Sequence, residues 1–510
     1  MENDVFSSPF FGGSKPPPYN AELCIPAPLF LLTVLFNCDI LTVVYIMTEK
    51  KMNILDTIAA ISTPFGKGGI AVIRISGADA FSVADRIFKP ENGKSLKELS
   101  PKTAYYGKIF HEGRQIDDGI VTLFSAPNSF CGEDTAEISC HGGILITQMV
   151  LTAALSSGAR LATAGEFTRR AFINGKMKLS HAEALGNLLE AETQEQVYLA
   201  RSGMRGTLSA EVDGIYNSLC LVLSSVFAHI DYPDEDLADM SREQMVAVID
   251  GNISRLERLC KTYKTGRAVA EGIKTAIAGR TNAGKSSLYN RILGRNAAIV
   301  TDIEGTTRDI LTEKVMLGRV LIKLSDTAGL RQTGDAVEKI GIERARESIE
   351  DSELILAVFD GSTLPTDEDY SLAAYLKEQS AVTVAIINKT DRGICPEAEK
   401  LCSSFEYSLR LSTLNGDGFD KLSELVESIY IDKNLDTGND AIIANSRQHA
   451  SASACLECLI RAKEFINSSL PLEICCSELE SAMSALSELD GRKVSEDIVA
   501  GIFKNFCVGK

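Results

Sequence analysis

Ile273-Lys-Thr-Ala-Ile-Ala278 runs straight into Gly279-Arg-Thr-Asn-Ala-Gly-Lys-Ser286, and Ser287-Leu-Tyr-Asn-Arg-Ile-Leu293 follows. The first segment reads as a short apolar strand and the last as a helix. Between them stands GxxxxGKS in the strand–loop–helix setting that this motif requires. Its glycines let the backbone turn so that N–H groups aim at phosphate oxygens, and the helix N-terminus adds the positive end of its dipole. Asn282, Ala283, Gly284, Lys285, Ser286 and Ser287 make up the expected phosphate-binding set. In it Lys285 reaches the β- and γ-phosphates and Ser286 ligates Mg²⁺.

Outward from this loop, three further motifs follow in order. Thr306 and Thr307, in DIEGTTRD, sit where a switch loop brings a hydroxyl to Mg²⁺ and the γ-phosphate; Thr307 is taken as the Mg²⁺ ligand. Asp326-Thr-Ala-Gly329 follows the strand VLIKLS, which sets Asp326 near Mg²⁺ and the Gly329 N–H near the γ-phosphate; Thr327 and Ala328 complete the turn. Asn388-Lys389-Thr-Asp391 follows AVTVAII. A carboxylate at Asp391 accepts from the guanine N1–H and exocyclic amine, a pair that adenine does not offer. Together these elements specify GTP rather than ATP. Ser412-Thr413-Leu414 stands where a third base-contacting loop is expected; its backbone suits the guanine oxygen, but Leu414 lacks the usual basic stem.

Leu330 directly follows the DTAG glycine, where many small GTPases place a Gln that orients the attacking water. Leucine offers no polar group, so another residue must serve or hydrolysis is slow. Arg331, Asp335, Glu338 and Glu343 follow closely, each equally readable as a solvated charge on a helix face.

At 510 residues the chain exceeds one ordinary core, so two or three domains are expected. The formal charge of −17 argues against non-specific coating of nucleic acid, which needs Lys and Arg in excess, but leaves room for a local basic patch. Thirteen cysteines lie scattered without paired zinc spacing, which suits a reduced, cytoplasmic setting. Residues 1–51 differ in texture from the rest. Leu29–Met47 is nearly as long as the roughly 20 residues that span a bilayer, but Asn37 and Asp39 interrupt its middle. Translation from Met47 or Met52 is the expected explanation, with a membrane anchor as the alternative. Residues 52–174 read as an α+β domain that starts with two strands joined by the Gly-rich turn Thr63–Gly69. Residues 175–270 and 433–510 have helical spacing, and 271–432 alternate strand and helix. The economical reading is an α/β domain inserted into a helical one.

DTIAAISTPFGKGGIAVIRISG, PNSFCGEDTAEISCHGG, GEFTRRAFINGK, HAEAL, DYPDED, GRTNAGKSSL, DTAGLR, VEKIGIERA, NSRQ and the terminal Phe506-Cys-Val-Gly-Lys510 occur in that order. From Asp56 to Lys510 the chain resembles the MnmE (TrmE) family of tRNA wobble-uridine modification GTPases. The resemblance implies a multidomain α/β plus α fold, with an N-terminal α+β folate-binding domain, a helical domain and an inserted Ras-like P-loop G domain. It implies that Glu338 orients the hydrolytic water. It further implies a K⁺ ion held by Asn282, Thr301, Ile303 and Thr306, within a nucleotide-binding switch loop that also contains Asp302, Glu304 and Gly305. Read without the family, Asn282 is an ordinary P-loop spacer.

The same resemblance places a tetrahydrofolate derivative (5-formyl- or 5,10-methylene-tetrahydrofolate) on Arg74, Glu137, Lys176 and Lys510. It implies a homodimer through the N-terminal domain and a heterotetramer with the FAD-dependent MnmG protein. The assembly would install an aminomethyl or carboxymethylaminomethyl group at C5 of the tRNA wobble uridine, in the cytoplasm and away from any membrane. His141 reads as a packed or hydrogen-bonded histidine and Cys507 as a small buried hydrophobe. Lys178, His181 and Cys131 depart from the family's usual Asp, Gln and Thr. Two rival readings are a GTP-regulated assembly factor of the ribosome-biogenesis kind and a membrane-tethered GTPase of the ferrous-iron-transport kind. The first gives no reason for the Arg74, Glu137, Lys176 and Lys510 set, and the second needs further apolar spans.

Overall fold

The computed structural model describes residues 56–231, 240–296, 312–325, 346–468, 471, 473–493, 495–504, 506 and 508–509. The N-terminal part is a seven-stranded sheet in the order β3-β4-β5-β6-β2-β1-β7. Its strands are β1 (Ile58–Ile61), β2 (Ile70–Ser76), β3 (Phe88–Pro90), β4 (Ala104–His111), β5 (Arg114–Phe124), β6 (Thr135–His141) and β7 (Arg160–Leu161). Strand β2 alternates strictly: Ala71, Ile73 and Ile75 are buried, while Val72 and Arg74 turn to the other face. The buried side packs on the helices Ala80–Ile87 and Ile144–Ser156 through Val83, Ala84, Ile87, Val150 and Ala153. Burial of each Val or Ile stabilises by about 1.5–3 kcal/mol before the entropy of ordering is set against it.

Helices from both ends of the remaining chain close one core. Val212, Ile215, Leu219, Val222 and Val226 recur at steps of three and four along Thr207–Asp231 and all are buried. They meet Met245, Ile249 and Leu256 of Arg242–Lys261, Leu459 and Ile466 of Ser446–Asn467, and Leu479 and Leu486 of Glu473–Asp490. The helical stretch Gln194–Ile230 is long and apolar enough to cross a membrane by length and composition. Its Leu208 to Val226 side is spent on this core. The apolar segment Leu29–Met47 lies outside the described residues.

Between the two helical parts lies a six-stranded sheet in the order β13-β12-β11-β8-β10-β9. It comprises β8 (Ile273–Ala278), β9 (Thr312–Leu317), β10 (Val320–Ser325), β11 (Leu354–Asp360), β12 (Val382–Asn388) and β13 (Tyr407–Arg410). All neighbours are parallel except the β9–β10 hairpin. Leu354 to Phe359 are buried without alternation, as helices on both faces require. Strand order turns around β8, with β10 and β9 on one side and β11 to β13 on the other. The loop after β8 therefore opens at the switch point where doubly wound sheets bind ligands.

The two connections to this inserted unit are fastened side by side. The Thr262 hydroxyl oxygen accepts from the Ile443 N–H (3.0 Å), and Thr265 Oγ1 donates to the Tyr430 carbonyl (3.1 Å) while accepting from the Asp432 N–H (3.0 Å). A Cβ on Gly266 would lie 2.1 Å from the Ile443 carbonyl oxygen, so only glycine permits that approach. Lys314 on β9 pairs with Glu192 of the helical part at 2.7 Å.

One CxxC spacing does occur, Cys455-Leu-Glu-Cys458, which corrects the reading of the cysteines as merely scattered. Both side chains are buried within Ser446–Asn467, and burial pushes both thiols up, so they pack as small hydrophobes.

The described chain begins in an ion-pair network. Arg170, almost fully buried, donates to Asp56 (2.7 Å), Glu133 (3.2 Å) and Glu166 (3.0 Å), and Arg160 bridges Asp56 (2.7 Å) and Glu166 (2.7 Å). Burial pushes the Glu166 carboxyl up, but hydrogen bonds from Arg160, Thr163 and Arg170 outweigh it and hold the group at about 2. A carboxylate whose folded pKa is depressed contributes stability that is complete above its unfolded pKa and is lost as pH falls through the folded value. The thermal midpoint of the N-terminal unit should therefore fall between about pH 4.5 and pH 2. Glu166→Gln should make that fall shallower in a calorimetric pH series; an identical acid limb in the variant would refute the assignment.

Candidate functional site: a guanine-nucleotide loop and a second cleft

The loop after β8 has the backbone that a phosphate cradle needs. Gly279 (φ 152°) and Gly284 (φ 109°) lie in the region that side chains avoid. A Cβ at Gly279 would stand 2.4 Å from the Val358 carbonyl oxygen, and one at Gly284 only 2.0 Å from Asn388 Nδ2. Asn282 adopts the left-handed conformation (φ 66°), which asparagine tolerates better than most residues. Lys285 Nζ donates to the carbonyls of Gly279 (2.8 Å) and Arg280 (3.0 Å), which holds the ammonium against the loop; burial lowers its pKa. The helix Lys285–Asn296 begins there, and Ser286 and Ser287 in its first turn are exposed. An exposed hydroxyl at a helix N-terminus beside a phosphate cradle fits the donor set of Mg²⁺, an oxygen-seeking cation.

Asn388 joins this cradle to the base side of the site. It is fully buried at the end of β12; its Nδ2 donates to the Ala283 carbonyl (2.8 Å) and its Oδ1 accepts from the Thr413 N–H (3.1 Å). Lys389 stands at φ 62° with Nζ 2.7 Å from Asp360, at the end of β11. Burial raises the Asp360 carboxyl, yet hydrogen bonds from Lys389 and Ser362 outweigh it and keep the group below the usual carboxylate range. Asp391 accepts from the buried Ser412 hydroxyl at 2.6 Å, which fixes the carboxylate by one oxygen. The structure thus brings Asn282 to Ser287, Asn388, Lys389, Asp391 and Ser412 to Leu414 around one site. Thr301 to Thr307, Asp326 to Gly329 and Glu338 lie outside the described residues, although β10 ends at Ser325, next to Asp326.

Three contributors to this site are not singled out by motif reading. Asp360, in Phe359-Asp-Gly-Ser, holds Lys389. Arg280 Nη2 donates to Thr363 Oγ1 (2.9 Å), and its Nε lies 3.2 Å from the buried Asp369. Arg291, two turns into the P-loop helix, reaches the carbonyls of the Ser412–Leu414 loop. An Asp ending an apolar strand was the only available signal, and it was weak.

A second cleft gathers in the N-terminal sheet. Arg74 and Glu137 are register partners on β2 and β6, and Oε1 of Glu137 takes both Arg74 Nε (2.9 Å) and Nη2 (2.9 Å). The guanidinium lies over the rings of Phe130 (5.3 Å) and Phe167 (5.5 Å). Lys176 Nζ donates to the Pro127 carbonyl (2.9 Å), in the same 126–134 loop that carries Phe130. Oε2 of Glu137 has no partner among the described residues, so one oxygen of this half-buried carboxylate stays uncommitted. The chain end returns here: Val508 bridges to Ala164, and Ser62 Oγ donates to the Gly509 carbonyl (3.0 Å). Lys510 and Cys507 lie outside the described residues. His141 is exposed, and its Nδ1 pairs with Asp117 at 2.8 Å, which raises its pKa; of the two readings, hydrogen-bonded is the one observed. Cys131 is buried, with its thiol pushed up to about 11 by that burial.

A sequence model described as "GTP-binding protein TrmE N-terminus" matches residues 57–176, and one described as "MnmE helical domain" matches residues 179–507. The tRNA modification GTPase MnmE of Clostridioides difficile (strain 630) is 38% identical over 461 residues, spanning 90% of this chain and 100% of that one. The chain belongs to the MnmE (TrmE) family. A second MnmE relative, from Lactococcus lactis subsp. lactis (strain IL1403), is 37% identical over 456 residues, spanning 89% of this chain and 98% of its own. Among solved structures, Aquifex aeolicus Era is 22% identical over 39% of this chain and 69% of its own, at a TM-score of 0.25, which adds nothing to the assignment.

Lys178 ties the two helical parts together. Its Nζ reaches the fully buried Asp490 (2.8 Å) and also Asp213 (3.1 Å). Asp490 further accepts from Ser180 (3.3 Å) and Ser209 (2.5 Å), so one carboxylate fastens both helical parts. His181 Nε2 is buried without a hydrogen-bond partner among the described residues, and burial followed by the Lys178 charge lowers its pKa.

The base side yields a direct expectation. Asp391→Asn replaces an acceptor pair by an amide, so affinity should pass from guanosine to xanthosine diphosphate, whose 2-oxo group accepts from that amide. Competition binding should show at least about a hundredfold change in the ratio; an unchanged preference would remove Asp391 from the base site.

Proposed function

We propose that this chain is a Mg²⁺-dependent GTP hydrolase acting in tRNA modification. The observation that carries the reading is the Asn388 amide, which binds the phosphate loop and the base loop into one rigid unit, with Asp391 held by Ser412 on its guanine side. Lys285 would hold the β- and γ-phosphates, Ser286 and Thr307 would hold Mg²⁺, and Asp326 and Gly329 would meet the γ-phosphate end. Leu330 offers no polar group, and Glu338 is proposed to orient the water. Asn282, Thr301, Ile303 and Thr306 are proposed to hold K⁺, whose charge would offset that developing between the β- and γ-phosphates.

The N-terminal cleft supports a folate reading. Glu137 keeps an oxygen for a pterin edge, Arg74 lies against two rings, and Lys176 adds a cation for the glutamate tail or one-carbon oxygen; Lys510 is proposed as the fourth contact. In this reading the chain is cytoplasmic, dimerises through residues 52–174 and works with FAD-dependent MnmG. Its helical domain (175–270 and 433–510) connects the G domain (271–432) to the modification site at C5 of the tRNA wobble uridine. GTP hydrolysis would drive G-domain opening and closing.

GTP turnover in K⁺ and in Na⁺ at equal ionic strength, with protein started at Met47, tests the nucleotide half. Turnover about tenfold or more faster in K⁺ is expected, and equal rates in the two salts would discard the K⁺ assignment. For the folate half, Glu137→Ala should abolish binding of 5-formyl-tetrahydrofolate in a titration while leaving GDP binding intact. Failure of the unaltered chain to bind folate would favour the assembly-factor reading.

A further inference from the structure

Leu414 stands where a basic stem is expected in the base loop, and its side chain is 74% exposed. The structure supplies a cation from elsewhere. Arg291, on the helix Lys285–Asn296, donates from Nη1 to the carbonyls of Thr413 (3.1 Å) and Leu414 (3.0 Å), and from Nη2 to that of Asn415 (2.9 Å). Three consecutive carbonyls are thus drawn to one guanidinium. Gly416 follows in the left-handed region (φ 89°), and a Cβ there would sit 2.0 Å from Arg291 Nη2, so the loop is built around this side chain.

The other loop donors are already committed. Thr413 N–H goes to Asn388 Oδ1, Asn415 N–H to Ser412 Oγ (3.3 Å) and Gly416 N–H to the Ser412 carbonyl (2.8 Å). Between Ser412 and Gly416, the Leu414 N–H is the donor with no acceptor among the described residues. It shares a planar trans peptide with the Thr413 carbonyl, so the C=O and N–H bonds point in opposite directions. When Arg291 draws that carbonyl to itself, the Leu414 N–H is turned the opposite way. Ser412, two residues earlier, places Asp391 by the same loop.

We propose that Arg291 is a positioning residue for guanine selection, holding the 413–415 carbonyls so that Leu414 N–H meets the oxygen at purine position six. This rests on the guanine-site reading above. It assigns to a helix residue the role that the missing basic stem of the base loop would have had.

The test measures affinities of the full chain for three diphosphates. GDP carries both the oxygen and the amine, IDP the oxygen only, and 2-aminopurine riboside diphosphate the amine only. In Arg291→Met, GDP and IDP should each weaken about tenfold, the worth of one backbone hydrogen bond, while the 2-aminopurine nucleotide stays within about twofold. Arg291→Lys should recover part of the loss. Gly416→Ala, which keeps Arg291 but closes the space its guanidinium fills, should lose the same oxygen-dependent increment and serves if Arg291→Met does not fold. Unchanged GDP affinity, or an equal loss for all three nucleotides, overturns the proposal. If the unaltered chain binds the three equally, the guanine-site reading itself fails.

Discussion

A carboxamide buried at the end of β12 holds the inserted domain's site in register. Asn388 is wholly shielded from water, so its amide must find partners inside the protein. It finds one on each side, the Ala283 carbonyl of the phosphate loop and the Thr413 N–H of the base loop. Leaving either group unsatisfied would cost about 1–3 kcal/mol. Gly284 approaches so closely that no side chain fits between it and this amide. The two loops are therefore placed relative to each other by a short rigid bridge rather than by their own stiffness. Lys389 and Asp360 brace the same strand end from β11.

The rest of the molecule repeats this pattern of distant segments fastened by a few buried polar groups. Arg447 of NSRQ reaches Glu183 of HAEAL at 2.9 Å across 264 residues, and Gln448 Nε2 joins the same carboxylate at 3.1 Å. Asp490 gathers Lys178, Ser180 and Ser209. Thr262 and Thr265 fix both connections of the inserted unit, while Phe503 and Phe506 lie against Gly165 and Gly186, and Gly509 lies against β1. Such ties are costly when half-made, because each leaves a buried charge or dipole without a partner. The inserted unit is fastened to the helical part by the surface ion pair of Lys314 with Glu192 on one side and by the buried threonines Thr262 and Thr265 on the other.

The two clefts differ in how they use charge. At the nucleotide loop two cations face backbone carbonyls: Lys285 lies on the P-loop and Arg291 on the base loop. In the N-terminal cleft Arg74 is paired with Glu137 and stacked on two rings, which spends one carboxylate oxygen and spares the other. The first arrangement suits an anionic ligand held by N–H groups; the second suits a flat, partly apolar ligand with a polar edge.

The nucleotide loop and its strand–helix setting were legible in the sequence by themselves, because backbone cradles depend on glycine and lysine at fixed spacing within one short segment. The β2 alternation and the three-and-four steps of Thr207–Asp231 were legible for the same reason: periodicity is local. Arg74 and Glu137 stand 63 residues apart, and their pairing exists only once β2 and β6 lie in register. Arg280, Arg291 and Asp360 hold no defined position in any of the motifs; each acts on a segment 29 or more residues away that folding alone brings within reach. The CxxC spacing of Cys455 and Cys458 shows the converse, a short pattern that burial in a helix deprives of its usual meaning. Local geometry is written in adjacent residues, whereas the partner of a side chain is chosen by the packing of the whole chain.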